Sequence, residues 1–136
     1  MARYVVTGGC GFIGSHLVDK LIDLDHEVYV VDNLSSGKLE NLNKKATFFH
    51  CDISDTDVMK GIFEECDGCF HLAAIASVEK SINSWVFSHN INLSSTIKLL
   101  NISKNINLKK RFPFIYASSA AVYGSNPDYP YTENSL

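Results

Sequence analysis

The chain has 136 residues, 46% hydrophobic and 20% charged, with a formal charge of -3 and a pI near 5.9. That length allows one domain, which would bury roughly two-thirds of the unfolded chain's surface, and leaves no room for a second. The mild acidity gives no footprint for nucleic acid or an anionic membrane, no apolar run reaches a membrane span, and the opening MARYVVTGG enters a strand without a leader, so the cytoplasm is the expected compartment.

In chain order, the first expected element is a strand over residues 3–7, RYVVT. A helix follows over 12–23, where Ile13, Leu17 and Leu21 recur at i, i+4 and i+8, and Val18 and Ile22 widen the stripe that would face a sheet. Strands are expected over 27–31 (EVYVV) and 46–51 (ATFFHC). Asp55 is the expected N-cap of a helix over 55–65, with Val58, Met59, Ile62 and Phe63 as its buried side. A strand over 69–72 (CFHL) precedes a helical segment over 79–104, in which Val86, Leu93, Ile97 and Leu100 keep the period. Asparagines and serines interrupt that segment and predict a break near its middle. A fifth strand over 112–117 (FPFIYA) leads to the loop NPDYPYTENSL, with Pro127 and Pro130.

Short apolar runs alternating with helical segments specify an α/β fold with a parallel sheet. Right-handed crossovers make it a doubly wound sheet of Rossmann type, order 3-2-1-4-5, ending before a sixth strand. The expected organisation is a single domain over 1–136.

The cysteines Cys10, Cys51, Cys66 and Cys69 include one CxxC pair, but no second pair stands at zinc-site spacing, so no metal is expected. They read as small, half-buried apolar residues of a reducing compartment, in which the Asn-x-Ser sequons at 33, 92 and 101 would stay unglycosylated. His71 reads as a core histidine rather than a ligand or base.

Residues 7–14, TGGCGFIG, place Gly8, Gly11 and Gly14 three apart between a strand and a helix. A helix N-terminus offers unpaired N–H groups and the positive end of a dipole to a pyrophosphate. Gly8 can take the tight turn, Gly11 lets the backbone approach the phosphates, and Gly14 lets the helix pack on the strand. The next strand ends VVDN, with Asp32 18 residues after Gly14. A carboxylate there accepts hydrogen bonds from ribose hydroxyls and repels a 2'-phosphate, which favours NAD over NADP. The alternative for Asp32 is a strand-end cap.

TGGCGFIGSHL, VVDNLSSGKLENL, CDI, HLAAIASV, NLSST, YASSAAVYG and PYTEN follow one another in that order. On these motifs, over essentially its whole length, the chain resembles the extended short-chain dehydrogenase/reductase family, and within it the UDP-glucose 4-epimerases. The resemblance implies that Phe12 and Ile13 line the pyrophosphate turn, and that Asp32 and Asn33 hold the adenosine ribose beside Leu34, Ser35, Ser36 and Gly37. It implies that Asp52 and Ile53 flank the adenine and that Leu72, Ala73 and Ala74 pass under the cofactor. Ala76 stands where many 4-epimerases carry a cofactor-touching lysine. Asn92 matches the asparagine of the family's NVxGT pattern, from which Leu93 and Ser95 depart. Ser118 matches a cofactor neighbour, and Ser119 matches the active-site serine that hydrogen-bonds the sugar hydroxyl being oxidised. Read without the resemblance, Ser119 is a strand-end serine satisfied by backbone.

Such enzymes pair a tyrosine with a lysine four residues later, on one helix face, to take the hydroxyl proton. Within residues 1–136 no tyrosine is followed by lysine at that distance, and Lys110 is the last lysine. The expectation is therefore a cofactor-binding part of a UDP-sugar epimerase, inactive by itself. Its fifth strand would be an open edge that pairs with another copy as a homodimer. The neighbouring readings are a nucleotide-sugar dehydratase or decarboxylase, which the stretch SSAAVYG disfavours, and a non-catalytic NAD-binding protein.

Overall fold

The computed structural model describes residues 1–106, 111–125 and 130–134. The tail around Pro127 lies partly outside these, as does Lys110.

Five parallel strands form one sheet in the order β3-β2-β1-β4-β5: β1 (Arg3–Thr7), β2 (Glu27–Asp32), β3 (Thr47–His50), β4 (Gly68–His71) and β5 (Phe114–Tyr116). Val5 pairs in register with Tyr29 of β2 and with Cys69 of β4, so β1 is central and buried from both faces. Successive side chains of a strand alternate between faces, and the core divides accordingly. Val6, Val28 and Val30 pack with Val18 and Leu21 of α1 (Phe12–Asp23) on one side. On the other, Val5, Val31 and Cys69 pack with Met59, Ile62 and Phe63 of α2 (Thr56–Glu64) and with Leu99. The Asp55 carboxylate caps α2 by accepting the Val58 N–H at 3.2 Å.

Two apolar positions of the expected stripes turn outward. Ile13 is 66% exposed, because the first turn of α1 projects beyond the sheet end where the glycine loop delivers it. Val58 is 40% exposed, leaving Met59, Ile62 and Phe63 as the buried side of α2.

The segment expected as one interrupted helix is four pieces: α3 (Val78–Asn83), α4 (Trp85–His89), a π-helical turn over Asn90–Ser95, and α5 (Thr96–Ile106). Ser84, with φ -144° and ψ 53°, breaks the first two apart. In the π-turn the Ser95 hydroxyl donates to Asn90 O at 2.9 Å and the Thr96 hydroxyl to Asn92 O at 2.8 Å. A π-turn inserts extra residues into the helical count and rotates all that follows. Ile91, Leu99, Ile102 and Ile106 meet the core, while Val86, Leu93, Ile97 and Leu100, in phase by a simple 3.6-residue count, lie on the exposed side.

This register makes a direct prediction for urea denaturation. Leu99→Ala, at a fully buried position, should cost about 2–5 kcal/mol, whereas Leu100→Ala next to it should stay within about 0.5 kcal/mol. Equal losses would contradict the register.

Candidate functional site

A cleft of about 300 Å³ opens where the sheet order reverses, outside the carboxyl ends of β1, β2 and β4, the place at which open α/β sheets bind ligands. Its floor is bare backbone. Gly8 has φ +72°, a left-handed conformation that disfavours side chains, and a Cβ there would lie 2.8 Å from Ala73 N. A Cβ on Gly14 would overlap the Gly8 carbonyl oxygen, so only glycine lets α1 start this close to β1. Gly11 is the N-cap, and no side chain caps the first turn of α1. The leading amides of a 12-residue helix are thus left for a ligand.

The end of β2 holds this loop in place. The Asp32 Oδ2 accepts the Cys10 N–H at 3.0 Å and its Oδ1 accepts the Leu34 N–H at 2.8 Å. The Cys10 carbonyl in turn accepts from Lys38 N at 3.0 Å and from the Asn41 side chain at 2.9 Å. Cys10 is therefore gripped through both its N–H and its carbonyl, which locks the glycine loop to the loop after β2. The second loop is ordered further by Asn33, whose Nδ2 donates to Asp52 at 2.7 Å and whose Oδ1 accepts the Ser35 N–H at 3.0 Å. Burial pushes the Asp52 carboxyl up, but hydrogen bonds from Ser54 and Asn33 outweigh it and hold the group below its ordinary value. Burial, with Asp32 nearby, pushes the Cys10 thiol up to about 11, so it remains an inert thiol in this loop.

The structure brings most of the expected residues to one wall. Gly8, Gly11, Asp32, Asn33, Ser35 and Ser36 line the cleft. Gly37, Asp52, Ile53, Leu72, Ala73, Ala74 and Ala76 complete it. Phe12 and Ile13 stand exposed at the mouth of α1, and Gly14 is buried behind the loop. Leu34, in a left-handed backbone with φ 57°, packs into the α1-side core. Asn92 does not line the cleft: its side chain clamps the Ile75 backbone, accepting the N–H at 2.8 Å and donating to the carbonyl at 3.0 Å. Ser118 and Ser119 are exposed beyond β5, and the Ser119 Oγ accepts the Ala121 N–H at 3.2 Å.

Residues the sequence reading did not single out complete the rim: Ile75, Ser77, Lys80, Phe87 and Ile91. The Ser77 hydroxyl caps α3 by accepting the Lys80 N–H at 3.3 Å. The serine N-cap was a legible helix start, and the helix puts Lys80 beside a cleft that otherwise carries Asp32 and Asp52. Among the described residues no cluster of metal-binding side chains occurs, and no helix is long and apolar enough to cross a membrane.

Residues 5–136 match the family model described as GDP-mannose 4,6 dehydratase. The chain is 38% identical over 140 residues to a UDP-glucose 4-epimerase of Mycolicibacterium smegmatis, covering 97% of this chain and 44% of that protein. It is 37% identical over 131 residues to UDP-glucuronic acid decarboxylase 1 of Arabidopsis thaliana, covering 96% of this chain and 29% of that protein. Among solved structures, a Thermus thermophilus UDP-glucose 4-epimerase in complex with NAD superposes with a TM-score of 0.84 at 37% identity, covering 97% of this chain and 42% of that one. The chain thus spans less than half the length of each of these three.

The packing of the loop sets two expectations. Gly8→Ala should destabilise by roughly 2–4 kcal/mol through backbone strain and contact with Ala73, while Gly61→Ala, in α2 with nothing within 4 Å of the new Cβ, should stabilise by about 0.5–1 kcal/mol. Urea melts of both variants check the contrast, and a harmless Gly8→Ala would contradict the close approach.

A third concerns pH. Burial lowers the His71 pKa from 6.5 to about 4. The unfolded chain then binds the proton first, so the stability His71 contributes is complete above pH 6.5 and falls as pH drops from 6.5 towards 4. An NMR titration of the imidazole should show it neutral at pH 5.5, and a midpoint near the ordinary value would contradict its burial.

Proposed function

The chain belongs to the NAD-dependent epimerase/dehydratase family, and on that premise we propose that residues 1–136 form the NAD-binding region of a UDP-sugar 4-epimerase. NAD is the cofactor of this family, and the residues here suit it. The leading amides of α1, uncapped by any side chain, meet the charge of a diphosphate. The floor at Gly8, with no room for a Cβ, lets the bridge approach. Asp32 has used one hydrogen bond per oxygen, and a carboxylate offers about four lone-pair sites, so it retains acceptors for ribose hydroxyls. Its charge opposes a 2'-phosphate. Asp52 and Ile53 flank the adenine, and Asp52 accepts from its amino group. Leu72, Ala73 and Ala74 give a wall of small side chains or backbone along the rest of the molecule.

When bound, NAD supplies a reversible hydride acceptor for the C4 position of the sugar. Ser119, freed from its cap on Ala121, would hold the sugar hydroxyl. Residues 1–136 contain no Tyr-x-x-x-Lys pair to take the proton, so this stretch by itself is proposed to bind cofactor without turning sugar over. The 37% identity to a UDP-glucuronic acid decarboxylase supports a second reading, a decarboxylase built on the same cofactor site. Reading the coding DNA beyond codon 136 tests the enzymatic part: a frame continuing into a Tyr-x-x-x-Lys helix supports it, and an immediate stop favours a non-catalytic NAD-binding protein. The four free thiols suit a reducing compartment such as the cytoplasm. The outer edge of β5 has no partner strand among the described residues; we propose that another copy pairs there, and a monomeric sedimentation profile at high concentration would oppose it.

The observation that carries the cofactor reading is the convergence of Asp32, the glycine floor and the uncapped α1 at one cleft. Calorimetric titration should give saturable binding of NADH, binding of NADPH weaker by tenfold or more, and for Asp32→Ala a loss of about tenfold in NADH affinity, or about 1.4 kcal/mol. Equal affinity for NADH and NADPH would contradict the role given to Asp32.

A further inference from the structure

The wall of the cleft after β4 is hung on a chain of directed hydrogen bonds that starts at the glycine strand. Thr7, the last residue of β1, is fully buried. Its Oγ1 accepts the N–H groups of Leu72 at 3.2 Å and Ala73 at 3.3 Å. With both lone pairs engaged, its proton goes to His71 Nδ1, 2.7 Å away. Nδ1 is then an acceptor, and a neutral imidazole in that state carries its proton on Nε2. Nε2 lies 2.9 Å from Thr96 Oγ1, which accepts from it and donates its own proton to Asn92 O at 2.8 Å. The Asn92 side chain closes the chain by clamping the N–H and carbonyl of Ile75. The Leu72 N–H is shared with the Thr7 carbonyl at 3.1 Å, but the hydroxyl and imidazole hydrogens point one way along the chain, and reversing one would set two donors or two acceptors face to face.

We propose that His71, held as the Nε2–H tautomer between Thr7 and Thr96, is a positioning residue that fixes the backbone of residues 72–75 as one wall of the cofactor cleft. Asn92 and Thr96 stand four residues apart, so one face of the segment presents Thr96 to the imidazole and Asn92 to Ile75. It also accounts for polar groups that are costly inside a core, since Thr7 and His71 are buried and the network satisfies both. The groups facing the imidazole are Thr7 from β1, the Phe114 ring from β5 at 5.7 Å between centroids, and Thr96 from α5. None of the three carries a charge, so no neighbouring ion competes for the tautomer.

The consequence for binding rests on the cofactor reading above, but the wall itself can be tested without ligand. In 15N-labelled protein at pH 7, long-range nitrogen–proton correlation should report His71 as neutral with the proton on Nε2; an Nδ1–H tautomer or an imidazolium overturns the proposal. Thr96→Val keeps the side-chain volume and removes the hydroxyl. It should raise the hydrogen-exchange rate of the Ile75 amide at least tenfold and weaken NADH about tenfold, with Thr96→Ser restoring both. Unchanged exchange at Ile75 in a folded Thr96→Val protein also overturns it. If wild-type protein takes no NADH, the cofactor reading falls while tautomer and exchange still decide the relay; if wild type binds and folded Thr96→Val binds equally well, the relay does not position the cleft.

Discussion

The Gly8 α-carbon sits against the backbone of Leu72 and Ala73, and the geometry of the molecule around its cleft follows from that approach. β1 and β4 are adjacent in the sheet but separated by three crossovers in the chain. Their loops leave toward opposite faces, which opens a crevice between them. A side chain at Gly8 would fill that crevice from below, and one at Gly14 would push α1 away from it. Removing both side chains brings a helix N-terminus and its unpaired amides to the same point. A sheet, a turn and a helix dipole are aligned by the absence of two β-carbons.

Asp32 converts this alignment into a preformed site. Its two carboxylate oxygens reach different loops, through Cys10 N and Leu34 N. The Cys10 carbonyl is held from the far side by Lys38 and Asn41. Ligand binding to such a site loses little loop entropy, because the ordering has already occurred on folding. The same carboxylate thus caps the strand end and retains acceptors for the ribose proposed above. The two roles, alternatives in the sequence, are compatible in the fold because they would use different lone pairs of one group.

The strand order and the first crossover were legible because each rests on a local signal: period-2 apolar runs, a 3.6-residue stripe, and glycine where no side chain fits. The helix over 12–23 is observed with the expected bounds. Residues 79–104 were only partly legible. The serines and asparagines signalled a break, but two apolar stripes run along this segment, and periodicity alone does not say which of them meets the sheet. Ile13 and Val58 were misassigned to buried faces for a related reason: a stripe gives the direction of a helix face and does not say where the sheet beneath it stops. The Thr7–His71–Thr96 chain was illegible because its members lie 64 and 25 residues apart in sequence. For Asn92, the match to a family pattern implied a place at the cofactor, while the fold has it gripping the Ile75 backbone from behind the wall.

The central physical claim is that the uncapped amides at the start of α1 receive an anionic diphosphate bridge over the bare floor at Gly8. It is tested most directly by following the backbone amide resonances of Phe12, Ile13 and Gly14 in 15N-labelled protein as NAD+ is added. Those resonances should move together, saturate with the binding curve, and move in part with ADP but not with nicotinamide riboside, which lacks the bridge. Saturable shifts confined to other regions, or none in a protein shown to be folded, would contradict the account.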